Sequence, residues 1–275
     1  MADMSDRTVL VTGANSGIGL ATVIEVARRG FDAVATVRSK PKAAAVRAAA
    51  DEAGVDVTTD LLDVADPERC AEVIERHRPW GIVNNAGYSA MGAVEDVGDD
   101  EVRRVLEVMV VAPMRLARLA LPAMREDGGG RIVNVSSIYG FTTSAFTGWY
   151  QASKHAIEGV SDALRVEVAG DDIQVVLIQP GAFKTGIWDE AQGEADERDG
   201  SRYTDAYRRV LDLTRRAEPL MGEPGQVARV IGGALTARRP RPRYLVGPDA
   251  HLLAAAERVT IASLKDRLQR FALGL

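Results

Sequence analysis

The stretch that most limits what this chain can fold into lies near its start. Arg7-Thr-Val-Leu-Val-Thr12 is a short, β-rich apolar run that stops at Gly13 and reads as a buried strand. Thr12-Gly-Ala-Asn-Ser-Gly-Ile-Gly19 follows, and a helical pattern then runs to Arg29 and ends at Gly30. Strand, glycine-rich turn and helix in that order make a phosphate site. Gly13, Gly17 and Gly19 let the backbone approach a pyrophosphate, Asn15, Ser16 and Ile18 complete the turn, and the helix N-terminus faces the negative charge. The competing reading is an ordinary tight βα turn. The glycine spacing is Gly-x-x-x-Gly-x-Gly, not Gly-x-Gly-x-x-Gly.

The same alternation continues down the chain. Asp32–Val37, Val55–Thr59, Trp80–Val83, Arg131–Val135 and Ile173–Ile178 read as further strands, with Tyr244–Val246 as a seventh. Between and after them, helical patterns cover Lys42–Ala53, Pro67 to about His77, Asp99–Arg125, Tyr150–Ala169, Tyr203–Thr214, Pro224–Ala237 and His251–Leu273. Pro67 suits a first helical turn, whereas Pro113 and Pro122 should kink or interrupt the long helix. Such alternation predicts an α/β fold: a doubly wound, Rossmann-like parallel sheet of about seven strands, with helices on both faces. Ligands of such sheets sit beyond the carboxyl ends of the strands, and the motifs fall there. Arg38 follows the second strand; an arginine at that point suits a ribose 2′-phosphate, or is a solvated loop residue. Residues 184–223 have a weaker pattern and read as a substrate lid, with Asp189–Gly200 charged and mobile. No linker, repeat or low-complexity tract divides residues 1–275, which read as one domain.

Composition narrows the function. The 275 residues are 46% hydrophobic and carry a net charge of -5, so a nucleic-acid surface is disfavoured; the basic run Arg238–Arg243 reads as a solvated loop. The single cysteine, Cys70, excludes a disulfide framework, and no Cys/His cluster has the spacing of a metal site. Met1 to Arg7 lacks an apolar signal core, and no apolar run is long enough to span a bilayer, so a cytoplasmic protein without a membrane partner is expected.

Tyr150 and Lys154 stand four residues apart, on one face of a helix. A phenol titrates near pH ~10 and is a poor acid or base at neutral pH. A neighbouring ammonium favours the phenolate, so Tyr-x-x-x-Lys can build a general acid/base, although such a pair also arises by chance.

With these motifs in hand, the chain resembles the short-chain dehydrogenase/reductase family over nearly its whole length. Thr12–Gly19, Leu62-Asp-Val64, Asn84-Asn-Ala-Gly87, Val135-Ser-Ser137, Tyr150-Gln-Ala-Ser-Lys154 and Pro180-Gly-Ala-Phe-Lys-Thr185 carry the resemblance. Ala35–Arg38, Ser153–Gly159 and Arg243–Asp249 look like the branch of 17β-hydroxysteroid and retinol dehydrogenases. The resemblance implies that Gly13, Gly17 and Gly19 hold the cofactor pyrophosphate, that Asp63 and Val64 sit at the adenine, and that Asn85, Ala86 and Gly87 line a ribose. It implies that Thr185 and the backbone after Pro180, through Gly181 and Phe183, orient the nicotinamide amide. Ser137 would hydrogen-bond the substrate oxygen, Tyr150 would exchange its proton, and Lys154 would bind the nicotinamide ribose and depress the Tyr150 pKa. One position departs: Met109 stands where the family usually has an asparagine.

The resulting expectation is an NADP(H)-dependent reductase or dehydrogenase acting on a ketone or secondary alcohol. Met91, Phe141, Phe146, Trp149, Trp188, Tyr203 and Met221 bound the expected cleft and favour a steroid-, lipid- or polyketide-like substrate. A dinucleotide-binding redox sensor without turnover is the alternative, kept open by Met109, and a lyase or dehalogenase on the same scaffold is a third. The resemblance also implies a homodimer or homotetramer, with Leu116, Leu119, Val160 and Leu164 as outward apolar positions.

Overall fold

Seven strands form one parallel sheet. β1 (Thr8–Thr12) lies between β2 (Asp32–Val37) and β4 (Gly81–Asn84), and β2 carries β3 (Thr58–Leu61) on its far side. The sheet continues from β4 through β5 (Gly130–Val135), β6 (Ile173–Pro180) and β7 (Arg243–Val246), giving the order 3-2-1-4-5-6-7. This computed structural model describes residues 6–275; the signal-core reading bears on Met1–Ser5, outside the described residues. Strand order reverses between β1 and β4, which opens a crevice at their carboxyl ends.

Both sheet faces are covered, which explains why the strands read as nearly unbroken apolar runs. Val9 and Val11, Val83 and Val133 point to the face occupied by α1 (Gly17–Arg28), α2 (Lys40–Ala53) and α9 (Pro224–Thr236). Leu10, Ile82 and Ile132 point to the other face, against α3 (Pro67–His77), α5 (Ala112–Glu126) and α6 (Gly148–Glu167). Alternation with period two therefore feeds two cores at once. Pro67 occupies the first turn of α3, where Asp66 caps the helix by accepting from the Glu68 and Arg69 amides.

Several expectations need correction. The third strand begins at Thr58, not Val55, because pairing of Val34 with Thr58 through Val37 with Leu61 sets its register. The long helix is three pieces: α4 (Asp99–Leu106), a π-helical segment Glu107–Val111, and α5. Pro113 has no N–H for the carbonyl four residues back, and the wider turn shifts the donor by one residue. The weak pattern of residues 184–223 conceals a helix that was not expected: α7 (Ile187–Glu197) fills most of Asp189–Gly200, and α8 (Thr204–Ala217) follows. The chain ends in two helices, α10 (Pro248–Glu257) and α11 (Ala262–Leu273), separated near the β-branched Val259-Thr260-Ile261, which are poor helix formers. Leu116 is not an outward position either; it is 1% exposed in the core between α5 and the sheet, with Leu119 and Leu164 packed against that core.

Candidate active site

The glycine turn after β1 is shaped by its neighbours. Gly13 and Gly17 adopt left-handed backbone (φ 64° and 52°), which only glycine takes readily. A Cβ on Gly13 would lie 2.9 Å from Ala86 Cα, one on Gly17 3.1 Å from Thr185, and one on Gly19 2.3 Å from the Gly13 carbonyl. The turn thus lies close against the segments after β4 and β6. Asn15 donates to Ser16 Oγ at 3.3 Å within the turn, and Ile18 packs against the core. The Asn85 side-chain amide is committed to this turn, donating to the Thr12 and Gly13 carbonyls at 3.0 and 3.2 Å. Thr12 Oγ accepts from the Asn85 and Ala86 amides, both at 3.0 Å. Thr12 is a positioning residue that motif reading alone passed over.

The other expected groups reach the same edge by different routes. Arg38, after β2, is exposed and has no hydrogen bond or ion pair with a described residue. Asp63 is exposed after β3 and accepts from the Ala65 amide at 3.0 Å, whereas the Val64 side chain is buried. Gly87 is exposed, and a Cβ on it would touch Met109 Sδ at 3.5 Å. Pro180 is buried at the end of β6, and a Cβ on Gly181 would meet the Asp249 carboxylate. Asp249 accepts from the Ala182 amide at 2.6 Å and so fixes this turn from α10, a role the sequence did not announce. Phe183 turns into the core, where it is 3% exposed, so only its backbone remains for a ligand; Trp188 Nε1 donates to its carbonyl at 2.8 Å.

Tyr150 and Lys154 lie on α6, and Ser137 follows β5. Lys154 Nζ is 5.4 Å from the Tyr150 ring centroid and donates to the Val135 carbonyl at 3.0 Å. Ser137 and Lys154 are both buried, at 8% and 7% exposure. Tyr139 packs edge-on against Tyr150, with centroids 6.0 Å apart. The electrostatics differ from expectation. Burial pushes the Tyr150 phenol up to about 12, against a downward pull from its hydrogen bond with Ser137. Burial pulls Lys154 down to about 8, with Glu158 opposing. Desolvation dominates both groups and neither shift has the other group among its causes, so the phenol is not acidified: it is a protonated donor at neutral pH beside a lysine near its titration point. Met109 belongs to the π-helical segment, is 3% exposed, and meets Ser153 Oγ at 3.6 Å on the turn of α6 between Tyr150 and Lys154.

The region over this edge is latched to the body. Met91 N–H donates to Glu194 at 2.8 Å, and Ala93 N–H to the Tyr207 hydroxyl at 2.6 Å; that hydroxyl in turn donates to Asp96. Arg198 pairs with Glu101 at 2.6 Å. Met91, Phe146 and Tyr207, with Ala191 and Ala195, form a small core of their own. Of the apolar residues expected in the cleft, Met91, Phe146 and Met221 are buried, and Tyr203 packs on that core. Phe141, Trp149 and Trp188 retain exposed surface.

A Rossmann-like sheet, a glycine turn at its reversal point and a serine–tyrosine–lysine set beside it define an oxidoreductase of carbonyl or alcohol substrates. The chain belongs to the short-chain dehydrogenase family, whose model ("short chain dehydrogenase") matches residues 7–196. It is 34% identical to the uncharacterized oxidoreductase YusZ of Bacillus subtilis, over 90% of this chain and 92% of that protein. It is 32% identical to retinol dehydrogenase 16 of Mus musculus, over 92% of this chain and 84% of that one. A crystal structure of a short-chain dehydrogenase from Streptomyces avermitilis superposes with a TM-score of 0.78 at 31% identity, covering 98% of this chain and 97% of that one. A nicotinamide dinucleotide is typical of the family. The close-approach glycines, which leave no room for a side chain, fit such a group.

Proposed function

We propose that this protein is an NADP(H)-dependent reductase or dehydrogenase of apolar ketones or secondary alcohols. The observation that carries the cofactor choice is Arg38: an exposed guanidinium at the carboxyl end of β2, with apolar Val37 rather than a carboxylate before it. A guanidinium matches a 2′-phosphate bidentately, and an acidic residue there would repel it. Gly13, Asn15, Ser16, Gly17, Ile18 and Gly19 would hold the pyrophosphate, with Asp63 and Val64 at the adenine and Asn85, Ala86 and Gly87 at a ribose. Backbone from Pro180 and Gly181 through Phe183, together with Thr185, would orient the nicotinamide. When bound, the dinucleotide supplies or accepts the hydride, and the protein has to manage only a proton.

In reduction, Ser137 Oγ orients the substrate oxygen and Tyr150, protonated at neutral pH, gives it a proton. Lys154 holds positive charge beside the phenol as that proton leaves, and would also hold the nicotinamide ribose when the dinucleotide is bound. The exposed surface of Phe141, Trp149 and Trp188 supports an apolar substrate, steroid-, lipid- or polyketide-like, as does the likeness to a retinol dehydrogenase. The assembly in this reading is a homodimer or homotetramer. Met109 favours one rival, a dinucleotide-binding redox sensor, because a thioether replaces the polar group expected beside the Tyr–Lys turn. The test is oxidation of NADPH and of NADH against a panel of apolar ketones, repeated with Arg38→Ala. Turnover with NADPH preferred, and a preference reduced about ten- to a hundredfold by the substitution, is expected for one lost charge-assisted contact. Equal use of both dinucleotides overturns the cofactor choice; tight NADPH binding without turnover on any ketone favours the sensor.

A further inference from the structure

Helix α11 presents the reverse of an ordinary surface helix. The positions it turns to the body recur every four residues and are mostly polar. Lys265 Nζ donates to Thr142 Oγ at 3.2 Å and pairs with Glu257. Gln269 accepts from the Ala145 amide at 3.2 Å and donates to the Thr143 carbonyl at 2.8 Å, and Leu273 is buried. The opposite face is apolar and open. Leu264, Leu268 and Phe271 are all exposed, Phe271 by 89%. At about 100° per residue, steps of four and seven from Leu264 return to within roughly 40° of it, so the three form one stripe. Exposed Val259 and Ile261 precede the stripe, and exposed Leu275 follows it. A lone exposed leucine is ordinary, but over half of the large apolar side chains exposed among the described residues lie between Leu252 and Leu275.

Positive charge edges the stripe. The Arg267 and Arg270 guanidiniums are exposed and make no hydrogen bond or ion pair with a described residue. The same step places them about 60° and 120° from Leu264, on one side, with Asp266 about 160° away, behind the stripe. The chain carries a net charge of -5, yet α11 has three cations, Lys265, Arg267 and Arg270, to one acid, Asp266. These features choose among occupants. A second copy on this face would bring Arg267 and Arg270 against further arginines, with no acid on the stripe to receive them. A strip about 18 Å long and roughly 10 Å wide also falls well short of the ~800 Å² that a stable protein partner covers on each side. An anionic lipid surface meets both conditions. Its acyl boundary takes the apolar side chains, its headgroups attract the arginines, and it needs no matched protein surface. The expectation of no membrane partner rested on the lack of a span, and no helix among the described residues is long and apolar enough to cross a membrane. A helix lying flat in the interface needs no span.

We propose that α11 is an interfacial helix that docks this protein on an anionic lipid bilayer, with Leu264, Leu268 and Phe271 in the acyl boundary and Arg267 and Arg270 at the headgroups. The docking is independent of whether the chain turns over a ketone. Its bonds to Thr142, Thr143 and Ala145 seat the helix on the segment between Ser137 and Tyr150. In the proposed function, that position would bring an apolar substrate from the bilayer to the side of the cleft.

The probe is vesicles of phosphatidylcholine, alone or with about one third phosphatidylglycerol, sedimented with the full chain. Saturable binding to the anionic vesicles is expected, at least about tenfold weaker on neutral ones and reduced by high salt. Phe271→Ser should weaken binding about tenfold or more. Arg267→Gln should weaken it about fivefold. Both side chains are exposed, so both variants should keep Tm within about 2 °C of the native protein. Val166→Ser, which removes another exposed apolar side chain from α6, should change nothing. A polarity-sensitive dye on Leu268→Cys should shift to the blue on anionic vesicles, since Cys70 is buried and escapes labelling. No vesicle binding, or binding that Phe271→Ser and Val166→Ser alter alike, overturns the docking. Equal binding to neutral vesicles without a salt effect overturns the choice of an anionic surface. A dimer that dissociates in Phe271→Ser, with no binding to vesicles, gives the face to a second copy and overturns the bilayer.

Discussion

Tyr150 and Lys154 show what a four-residue spacing states and what it omits. The spacing fixes their shared helix face, and it suggests an acidified phenol. The fold instead buries Lys154 and half-buries Tyr150, and the desolvation leaves the phenol near 12 and the ammonium near 8. Burial is a property of what packs around α6, and no local pattern encodes it. Tyr150→Phe should lower turnover about 10²–10⁴-fold with dinucleotide affinity nearly unchanged, whereas Lys154→Ala should harm both. The pH dependence follows from the lysine. Its folded value lies below that of a free lysine, so its charge is present below about 8 and lost as pH rises through that value. In carbonyl reduction, kcat/KM for the dinucleotide, which reports the free protein, should be flat below about pH 8 and fall above it. Lys154→Arg, charged throughout, should flatten the profile; a native profile without a break near 8 would remove Lys154 from the reaction.

At the scale of elements, the π-helical segment and the latched helices α7 and α8 carry the remaining differences. Pro113 announced an interruption in the long helix, but not that the chain would stay helical through a π turn with Met109 facing Ser153. A thioether is a weak acceptor with no donor and cannot relay a proton. Two outcomes follow: Tyr150 would regain its proton by a route that bypasses Met109, the reading favoured here, or proton relay would limit turnover. Met109→Asn should accordingly leave turnover within a few-fold and leave any solvent deuterium effect in place. A large rise in turnover with loss of that effect would mean that the native relay was limiting. The latch was illegible for a different reason. Its bonds join residues such as Met91 and Glu194, 103 positions apart, and the residues between them carry no local signal of the pairing. Tyr207→Phe removes a hydroxyl that accepts from Ala93 and donates to Asp96. It should cost about 1–3 kcal/mol, the range for leaving buried partners unsatisfied, read as a lower Tm and faster amide exchange in α7 and α8.

For the whole molecule, the sheet was legible because period-two apolar runs, glycine turns and helical patterns alternate in a single rhythm. Outward faces were not. Leu116 follows the helical apolar pattern that would suit either a partner or the sheet, and the sheet takes it. Assembly is expected all the same, and light scattering at micromolar concentration should give a dimer or tetramer; a monomer would refute it. The strand order also bears on how the chain is made. On the ribosome, β1 to β4 can associate as 3-2-1-4 while β5 is still unsynthesised. At about 5–20 residues per second, the 46 positions from Asn84 to Gly130 leave the outer edge of β4 unpaired for roughly 2–9 s. That edge, Gly81-Ile-Val-Asn84, is apolar and open to pairing with a neighbouring nascent chain, but it is only four residues long. Its shortness keeps the nascent half-sheet from offering a long template for aggregation until the second half arrives to cover it.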